Sequence, residues 1–150
     1  MYRIRKLTRQ DIPVCMSIQH SSHFHPKEHL WNESYWYVVV FDLLKDSWVA
    51  VDDNDEVVGY AVGLIRYEEQ LSGELAWYWM DICVPEELKG KGVADDLMTF
   101  LLQKYPLLYC YVSVKNKACF KWLSKHGWSH IKKIEKYYRN GDDAYLSASN

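Results

Sequence analysis

The sequence predicts a mixed α/β (α+β) fold, with a central, mostly antiparallel sheet of six to seven strands and about four flanking helices. Short segments of alternating or continuous apolar residues, separated by polar turns, recur along the chain as they do in sheet proteins. Three other segments carry apolar residues at the spacing of a helix face. No repeat or linker interrupts the 150 residues, a length that fits a single core. We therefore expect one domain over residues 1–150.

The N-terminal third begins with a strand and a helix. Residues 2–7 alternate between apolar and polar types, and Thr8 with Asp11 then gives a helix-start signal. The helix that follows presents these apolar residues at helical spacing: Ile12, Cys15, Met16 and Ile18. Residues 21–33 are rich in Ser, His, Pro and Asn and predict a loop, whereas the Trp- and Tyr-rich segment up to Leu44 fits either a helix or a strand.

Three strands follow in the middle of the chain. Residues 47–51 and 57–67 are apolar segments joined by a turn rich in Asp and Asn, which indicates a hairpin because these residues tolerate left-handed backbone. A polar turn at residues 70–73 precedes a third strand over residues 75–84, and Pro85 ends it. The predicted pairing of the three strands is antiparallel.

The C-terminal half alternates helices and strands. Apolar spacing and apolar runs predict its elements in this order: a helix over residues 93–102, a strand over 107–114, a helix over 117–125, and a hairpin of strands over 128–138 and 144–148. Gly127 follows the second of these helices, as a C-terminal glycine does. The turn at residues 139–142 would join the two strands of the hairpin.

The composition argues against several classes of function. A net charge of −2 gives no sign of the one-sided basic surface that binds nucleic acid. The apolar stretches are too short to span a bilayer, and Arg3, Arg5 and Lys6 interrupt any N-terminal signal segment, so we predict a cytoplasmic protein without a membrane partner. The four cysteines form no CxxC pair and the histidines of residues 20–29 lack matching ligands, so we predict no metal site.

A glycine-rich loop between a predicted strand and a predicted helix is the strongest functional signal. It consists of Lys89, Gly90, Lys91, Gly92, Val93 and Ala94. Backbone amides at the start of a helix bind anions with help from the helix dipole, and glycines leave room for a pyrophosphate. The loop lacks the GxxxxGK[ST] pattern of a Walker motif and lies mid-chain after antiparallel strands, unlike the first βαβ unit of a Rossmann fold.

Two motifs resemble those of the GCN5-related N-acetyltransferase (GNAT) family. The first family motif is Arg or Gln, two residues, Gly, one residue, then Gly or Ala, and those positions hold Lys89, Gly92 and Ala94, with Lys89 a departure from Arg or Gln. The second is a strand, an Asn, an Ala-bearing helix and a Gly followed by an aromatic residue, and its matches are Asn116, Ala118, Gly127 and Trp128. The resemblance covers the chain from the first strand to the closing hairpin.

The resemblance implies that acetyl-CoA enters a wedge where the fourth and fifth strands splay apart. The backbone of Ile82, Cys83 and Val84 would then hold the pantetheine arm like an added strand. The glycine-rich loop would hold the pyrophosphate, and Asn116 and Phe120 would also contact the cofactor. Acetyl-CoA is thus the expected cosubstrate, and acetyl transfer to a primary amine is the expected reaction.

In this family the amine attacks the thioester directly, so neither Cys83 nor Cys110 is expected to be a nucleophile. Tyr78 stands where many relatives carry a glutamate base. We predict that it takes the amine proton through water, because a tyrosine pKa near ~10 makes direct abstraction slow. The alternative is a tyrosine that only lines the core. The family's thiolate-protonating tyrosine is replaced by leucine at position 123, and Tyr111 or Tyr138 would substitute for it.

The C-terminal segment over residues 136–145 resembles the ending of ribosomal-protein alanine acetyltransferases and of N-terminal acetyltransferases. This implies that Tyr137 and Tyr138 contact a peptide backbone, the alternative being ordinary strand residues. The loop over residues 21–30 would form the opposite wall, unless its polarity only reflects exposure. Its candidate substrate contacts are Phe24, His25 and Glu28.

Three functions stay open at this point. The first is acetylation of a protein or peptide N-terminus. The second is acetylation of a small primary amine, such as a polyamine, an amino acid or an aminoglycoside, with charge complementarity from Glu28, Glu74 and Asp81. The third is a CoA-binding module without catalysis, because Leu123 and Tyr78 depart from the catalytic pattern. A homodimer is also compatible with the sequence.

Overall fold

Residues 2–23, 25–68, 71 and 75–149 are described by the computed structural model. Within them the chain forms seven strands and four helices, in this order: β1 (Arg3–Lys6), α1 (Ile12–His20), α2 (Tyr35–Val40), β2 (Trp48–Val51), β3 (Val57–Tyr67), β4 (Leu75–Cys83), α3 (Val93–Lys104), β5 (Leu108–Ser113), α4 (Lys117–Lys125), β6 (Ser129–Ile134) and β7 (Ala144–Ala148). The predicted fold class is confirmed. None of the helices in these residues is long and apolar enough to cross a membrane.

The chain divides into two compact units, and strand β4 contributes to both. The first unit contains Met1–Ile65 and Trp79–Leu101, and the second contains Arg66–Tyr78 and Leu102–Asn150. In the first unit the strand order is β1-β2-β3-β4, with β1 antiparallel to β2 and β2 to β3. In the second it is β4-β5-β7-β6, where β4 and β5 are parallel and the other pairs antiparallel. The assignment of residues 1–150 to one domain stays a prediction.

The pairing between β4 and β5 is short. The two strands are in register at Trp77 with Leu108 and at Tyr78 with Tyr109, and at no further pair along their described residues. Strand β5 nevertheless continues to Ser113, paired with β7. The early end of the parallel ladder confirms the predicted splay between the fourth and fifth strands.

Helix α1 begins at the predicted start signal. The amide and the hydroxyl of Thr8 donate to Asp11 Oδ2 at 2.7 and 3.0 Å, and Arg5 forms an ion pair with the same carboxylate at 2.7 Å. Ile12, Cys15 and Ile18 follow at helical spacing and pack in one buried cluster with residues of α2, β2, β3 and β4. Burial of each large aliphatic side chain contributes about 1.5–3 kcal/mol. The apolar face of α1 therefore fixes the helix on the sheet of the first unit.

The segment whose conformation the sequence left open is the helix α2, and it is π-helical. The amides of Leu43 and Leu44 both donate to the carbonyl of Val39, at 2.9 and 3.0 Å. Trp36 and Val40 are buried on one side of it, whereas Val38 is exposed. The three consecutive valines favour a strand locally, so the helix forms against this preference, with Trp36 and Val40 packed in the core of the first unit.

Helix α4 has the predicted bounds because both of its ends are capped. Asn116 Oδ1 accepts the amide of Cys119 at 3.1 Å, which satisfies one of the free amides of the first turn. At the other end Gly127 has a φ of 83°, its amide donates to Ser124, and the next amide donates to Leu123. This is the Schellman arrangement that ends helices at glycine.

The predicted strand over residues 128–138 is too long. Strand β6 ends at Ile134, because Lys136 adopts a left-handed φ of 50° and its amide donates to Asp143 Oδ1 at 2.9 Å. Tyr137 and Tyr138 therefore lie on the connection between β6 and β7 and not in a strand. The predicted turn at residues 70–73 lies outside the described residues except for Leu71.

Candidate functional site

The predicted phosphate loop lies in the first unit, between the end of β4 and the start of α3. Gly90 and Gly92 have φ angles of 77° and 90°, in the left-handed region that favours glycine. A Cβ atom added at either glycine would meet no atom within 4 Å. Backbone conformation, and not lack of space, is therefore what requires glycine here, and the surface above the loop is open to a ligand.

The backbone amides of this loop suit an anion. The backbone amide of Asp96 donates to the carbonyl of Gly92 at 2.9 Å, in the first turn of α3. The amides of Val93 and Ala94 come before this hydrogen bond, so they lie at the positive end of the helix dipole. Gly59 on β3 allows close packing beneath them. A Cβ atom there would lie 2.9 Å from Val93 Cγ1 and 3.3 Å from the carbonyl oxygen of Cys83. The loop thus fits the pyrophosphate of a coenzyme.

The lysines of the loop contribute less than the sequence suggests. Lys89 Nζ forms an ion pair with Glu86 Oε1 at 2.6 Å, and this hydrogen bond lowers the pKa of Glu86. The same carboxylate accepts the amide of His23 at 2.9 Å. Lys91 is exposed, and Asp95 and Asp96 begin the helix. The positive charge is therefore balanced locally, and the amides are the main anion-binding groups.

The end of β4 brings Ile82, Cys83 and Val84 directly before this loop, as predicted. Cys83 and Val84 are buried, and Ile82 is half-buried. The thiol of Cys83 lies 3.8 Å from the carbonyl oxygen of Ile18, to which it donates. This thiol is thus part of the core of the first unit.

His25 belongs to a buried polar network centred on Asp81 of β4. His25 Nε2 lies 2.8 Å from Asp81 Oδ1, while Gln19 Nε2 and the hydroxyl of Tyr60 donate to Oδ2 at 3.0 and 2.5 Å. Burial lowers the pKa of His25, but the hydrogen bonds and charges of Asp81 and Cys83 outweigh it and raise the value to about 10. The sequence did not predict this pair. Because both oxygens of Asp81 are engaged, it is poorly placed to attract a substrate amine.

An aromatic cluster in the second unit contains all three tyrosines predicted to be catalytic. We call Tyr78, Tyr109, Tyr111, Tyr137 and Tyr138 the tyrosine cluster. The rings of Tyr78 and Tyr109 stack with centroids 4.9 Å apart, and those of Tyr111 and Tyr137 stack at the same distance, 12° from parallel. Tyr138 lies edge-on to Tyr137, and its hydroxyl donates to the carbonyl of Tyr111 at 3.5 Å.

Two charged residues at the end of β3 join the tyrosine cluster and were missed by the sequence analysis. The guanidinium carbon of Arg66 lies 4.8 Å from the ring centroid of Tyr78. The hydroxyl of Tyr111 donates to Glu68 Oε2 at 2.7 Å, and Glu68 is only 8% exposed. Arg66 lies in β3, whereas Glu68 directly follows its last residue. The predicted strand ended at Tyr67 and the predicted turn began at residue 70, so neither indicated a role for Glu68.

Burial makes the hydroxyls of Tyr78, Tyr111 and Tyr138 weaker acids than a free tyrosine. Burial is the main cause that raises the pKa of Tyr78, and the hydroxyl of Tyr137 adds to this shift. Burial is also the main cause that raises the pKa of Tyr111, to which Glu68 adds. Burial likewise raises the pKa of Tyr138 to about 12. All three side chains are therefore protonated at neutral pH and act as hydrogen-bond donors.

The remaining predicted site residues lie outside the tyrosine cluster and the glycine-rich loop. Asn116 caps α4, and the ring of Phe120 packs edge-on against His130 at 4.5 Å and Tyr145 at 5.3 Å. Glu28 is exposed in a 3₁₀ turn, and Phe24 lies outside the described residues. Within the part of the chain that is described, no group of three or more His, Cys, Asp or Glu side chains could hold a metal ion.

Comparison with known proteins identifies the class. The sequence profile of the Acetyltransferase (GNAT) family matches residues 8–128. The chain belongs to this family, and it is an N-acetyltransferase with acetyl-CoA as its cosubstrate.

Two curated relatives differ in the amine that their names indicate. An N-alpha-acetyltransferase of Saccharolobus solfataricus is 28% identical over 131 residues, covering 77% of this chain and 78% of the relative. An L-2,4-diaminobutyric acid acetyltransferase of Marinococcus halophilus is 30% identical over 73 residues, covering 49% of this chain. The matched part is only 40% of that enzyme's length.

Solved structures of N-terminal acetyltransferases share the fold over nearly the whole chain. NAA60 of Arabidopsis thaliana in complex with acetyl-CoA has a TM-score of 0.80 at 16% identity, with 99% and 98% of the two chains covered. The ribosomal-protein-S18-alanine N-acetyltransferase of Escherichia coli has a TM-score of 0.73 at 17% identity, with 99% and 93% covered. At these identities the similarity establishes the fold.

The left-handed backbone of Gly92 gives a test of the phosphate loop. Gly92→Ala should cost about 1–2 kcal/mol of stability through backbone strain, and CoA affinity should fall roughly tenfold or more because the amides no longer converge on the pyrophosphate. Gly127→Ala is the matched control, since its φ of 83° and open surroundings predict similar strain away from the loop. Calorimetric titration with CoA and urea unfolding measure both effects. Equal CoA affinity in the two variants would contradict this assignment.

The raised pKa of His25 predicts a pH-dependent contribution to stability. The free chain binds a proton at His25 with a pKa of about 6.5, and the folded chain with a pKa of about 10. The stabilisation is therefore complete below the first value and is lost as pH rises through the second. Urea unfolding between these limits should show a fall in the free energy of unfolding that His25→Gln abolishes and that the exposed control His29→Gln retains. The same slope in both variants would refute the charged pair.

Proposed function

We propose that this acetyltransferase acts on the α-amine of a protein or peptide N-terminus. The observation that carries the proposal is the connection between β6 and β7, which holds Tyr137 and Tyr138 against Tyr111 in the tyrosine cluster. Packed tyrosine rings suit an extended peptide backbone, since they combine apolar area with polar hydroxyl groups. The similarity to an N-alpha-acetyltransferase over 131 residues supports the same acceptor.

The acetyl group passes directly from acetyl-CoA to the amine in this proposal. The thiol of Cys110 is 3% exposed and burial raises its pKa well above the ordinary value, so a nucleophilic thiolate is disfavoured. Cys83 is buried as well, with its thiol turned towards the carbonyl of Ile18. Neither cysteine therefore suits a covalent acetyl intermediate.

Acetyl-CoA is bound, in this proposal, by backbone groups. The loop of residues 89–94 would receive the pyrophosphate through amides such as those of Val93 and Ala94, and the backbone of Ile82, Cys83 and Val84 would receive the pantetheine arm. Asn116 and Phe120 would complete the coenzyme site. His25 anchors the loop that carries Glu28, a proposed contact of the acceptor, because its bond to Asp81 ties that loop to β4. A contact from Phe24, which lies outside the described residues, stays a prediction.

The tyrosines act as neutral groups in the proposed mechanism. With its pKa raised, Tyr78 does not abstract a proton directly, and it orients a water molecule that does. The hydroxyl of Tyr138, with a pKa of about 12, donates a hydrogen bond to the sulfur as the C–S bond breaks. Tyr111 can act in the same way. The thiolate then takes its proton from solvent.

A small primary amine is the second candidate acceptor. The 30% identity to a diaminobutyric acid acetyltransferase over 73 residues favours it. A cytoplasmic location and a homodimer stay predictions from the sequence.

A thiol-release assay with acetyl-CoA tests the acceptor. Peptides with free N-termini and no lysine should release CoA thiol, whereas the same peptides with a blocked N-terminus should not. Diaminobutyrate, a polyamine and an aminoglycoside form the comparison set. Turnover of small amines alone would replace the proposal with the second candidate, and CoA binding without any turnover would refute both acceptors.

The role of Tyr78 predicts a selective loss of turnover. Tyr78→Phe keeps the ring that stacks on Tyr109 and lies under Arg66, and removes only the hydroxyl. We expect kcat to fall roughly tenfold or more, as for loss of an acid–base group, with the KM for acetyl-CoA unchanged. Tyr67→Phe, at an exposed position of β3, is the control. An unchanged kcat would show that Tyr78 only packs in the cluster.

A further inference from the structure

Glu68 is a carboxylate buried in the tyrosine cluster of the second unit. It is 8% exposed, and the hydroxyl of Tyr111 donates to its Oε2 at 2.7 Å. The ring of Tyr137 stacks on the ring of Tyr111, which holds that ring and its hydroxyl donor in place. Burial of a carboxylate is costly unless a positive or hydrogen-bonding group meets it. The hydrogen bond from Tyr111 thus holds a carboxylate at the tyrosine cluster, where a cationic ligand would find an acceptor of opposite charge.

Tyr109 is a second polar side chain of the cluster, and its ring lies edge-on to Tyr111. Burial raises the pKa of Tyr109 to about 12, and the charge of Glu68 adds to the shift, whereas the charge and a hydrogen bond of Arg66 oppose it. Arg66 therefore engages the hydroxyl of Tyr109, and Glu68 is the anionic acceptor that the cluster offers to a ligand.

The rings of the cluster are already in contact with a cation. The guanidinium of Arg66 lies over the face of Tyr78 at 4.8 Å, in the geometry of a cation–π contact. Arg66 is exposed, so solvent screens its charge more than that of the buried Glu68. A second cation inside the cluster would meet the electron-rich rings and the carboxylate together.

We infer that Glu68 binds the ammonium group of the acceptor, with Tyr111 holding its carboxylate in position. The inference rests on the proposed function and deepens it by naming the residue that selects a cationic amine. A primary ammonium group has three donors, of which one would meet Glu68 and the others acceptors on the substrate or in solvent. The acetylated product is neutral and loses this contact, which favours its release.

Glu68→Gln tests the inference, because it keeps the shape of the side chain and removes the charge. The KM for a peptide with a free N-terminus should rise roughly ten- to hundredfold, while kcat changes much less. The inhibition constant of the N-acetylated peptide should stay the same, since that product carries no ammonium group. Glu68→Asp should recover part of the affinity. Glu56→Gln, at an exposed turn of the first unit, is the matched control.

The readouts separate recognition from a structural role. A variant that is merely destabilised would also raise the KM for acetyl-CoA, lower the unfolding temperature and weaken the acetylated peptide. An unchanged KM for the free peptide, or an equal loss for free and acetylated peptide, would overturn the inference. If the unsubstituted chain acetylates no peptide, the proposed function fails instead. The same Glu68→Gln comparison with diaminobutyrate or a polyamine then decides whether Glu68 recognises the ammonium group.

Discussion

The buried carboxylate of Asp81 is the constraint on which the first unit depends. A charge taken out of water must be paired and hydrogen-bonded, and here the partners come from α1, the loop after it and β3, through Gln19, His25 and Tyr60. These elements must therefore meet β4 at one point. Gln19 extends the network, because its Oε1 accepts the amide of Trp31 and the indole N–H of Trp36. The need to hydrogen-bond the buried carboxylate of Asp81 thus specifies how these elements pack against the end of β4.

Backbone geometry outweighs side-chain charge in the glycine-rich loop. The ion pair of Lys89 with Glu86 and the acidic residues at the start of α3 leave little net positive charge for a pyrophosphate. What the loop does supply is a set of amides at a helix start, held close to the sheet because Gly59 has no side chain. This explains why lysine is tolerated where relatives carry arginine or glutamine. The residue type at that position matters less than the left-handed backbone at Gly92.

The sequence predicted those elements whose signals are local. Strand β3 and helix α4 have the expected bounds, since turn residues, an Asn cap and a terminal glycine mark them. Helix α2 could not be assigned from the sequence, because its three valines favour a strand, whereas its core packing through Trp36 is visible only in the fold. In the site, family position indicated Tyr78, Tyr111 and Tyr138, which the fold brings together. Glu68 escaped notice because nothing in its neighbours shows that it is buried.

The tyrosine cluster contains hydroxyls that stay protonated and a carboxylate that faces one of them. Burial opposes ionisation of Tyr78, Tyr109, Tyr111 and Tyr138, and a phenolate at Tyr109 or Tyr111 would also be repelled by Glu68. A cationic amine, in contrast, lowers the cost of burying Glu68 and gains the faces of the rings. Many relatives carry a glutamate at the β4 position that Tyr78 occupies. In this chain a carboxylate, that of Glu68, lies instead directly after β3, where the hydroxyl of Tyr111 donates to it. With the role that we infer for Glu68, the departure at Tyr78 moves the negative charge of the site without removing it.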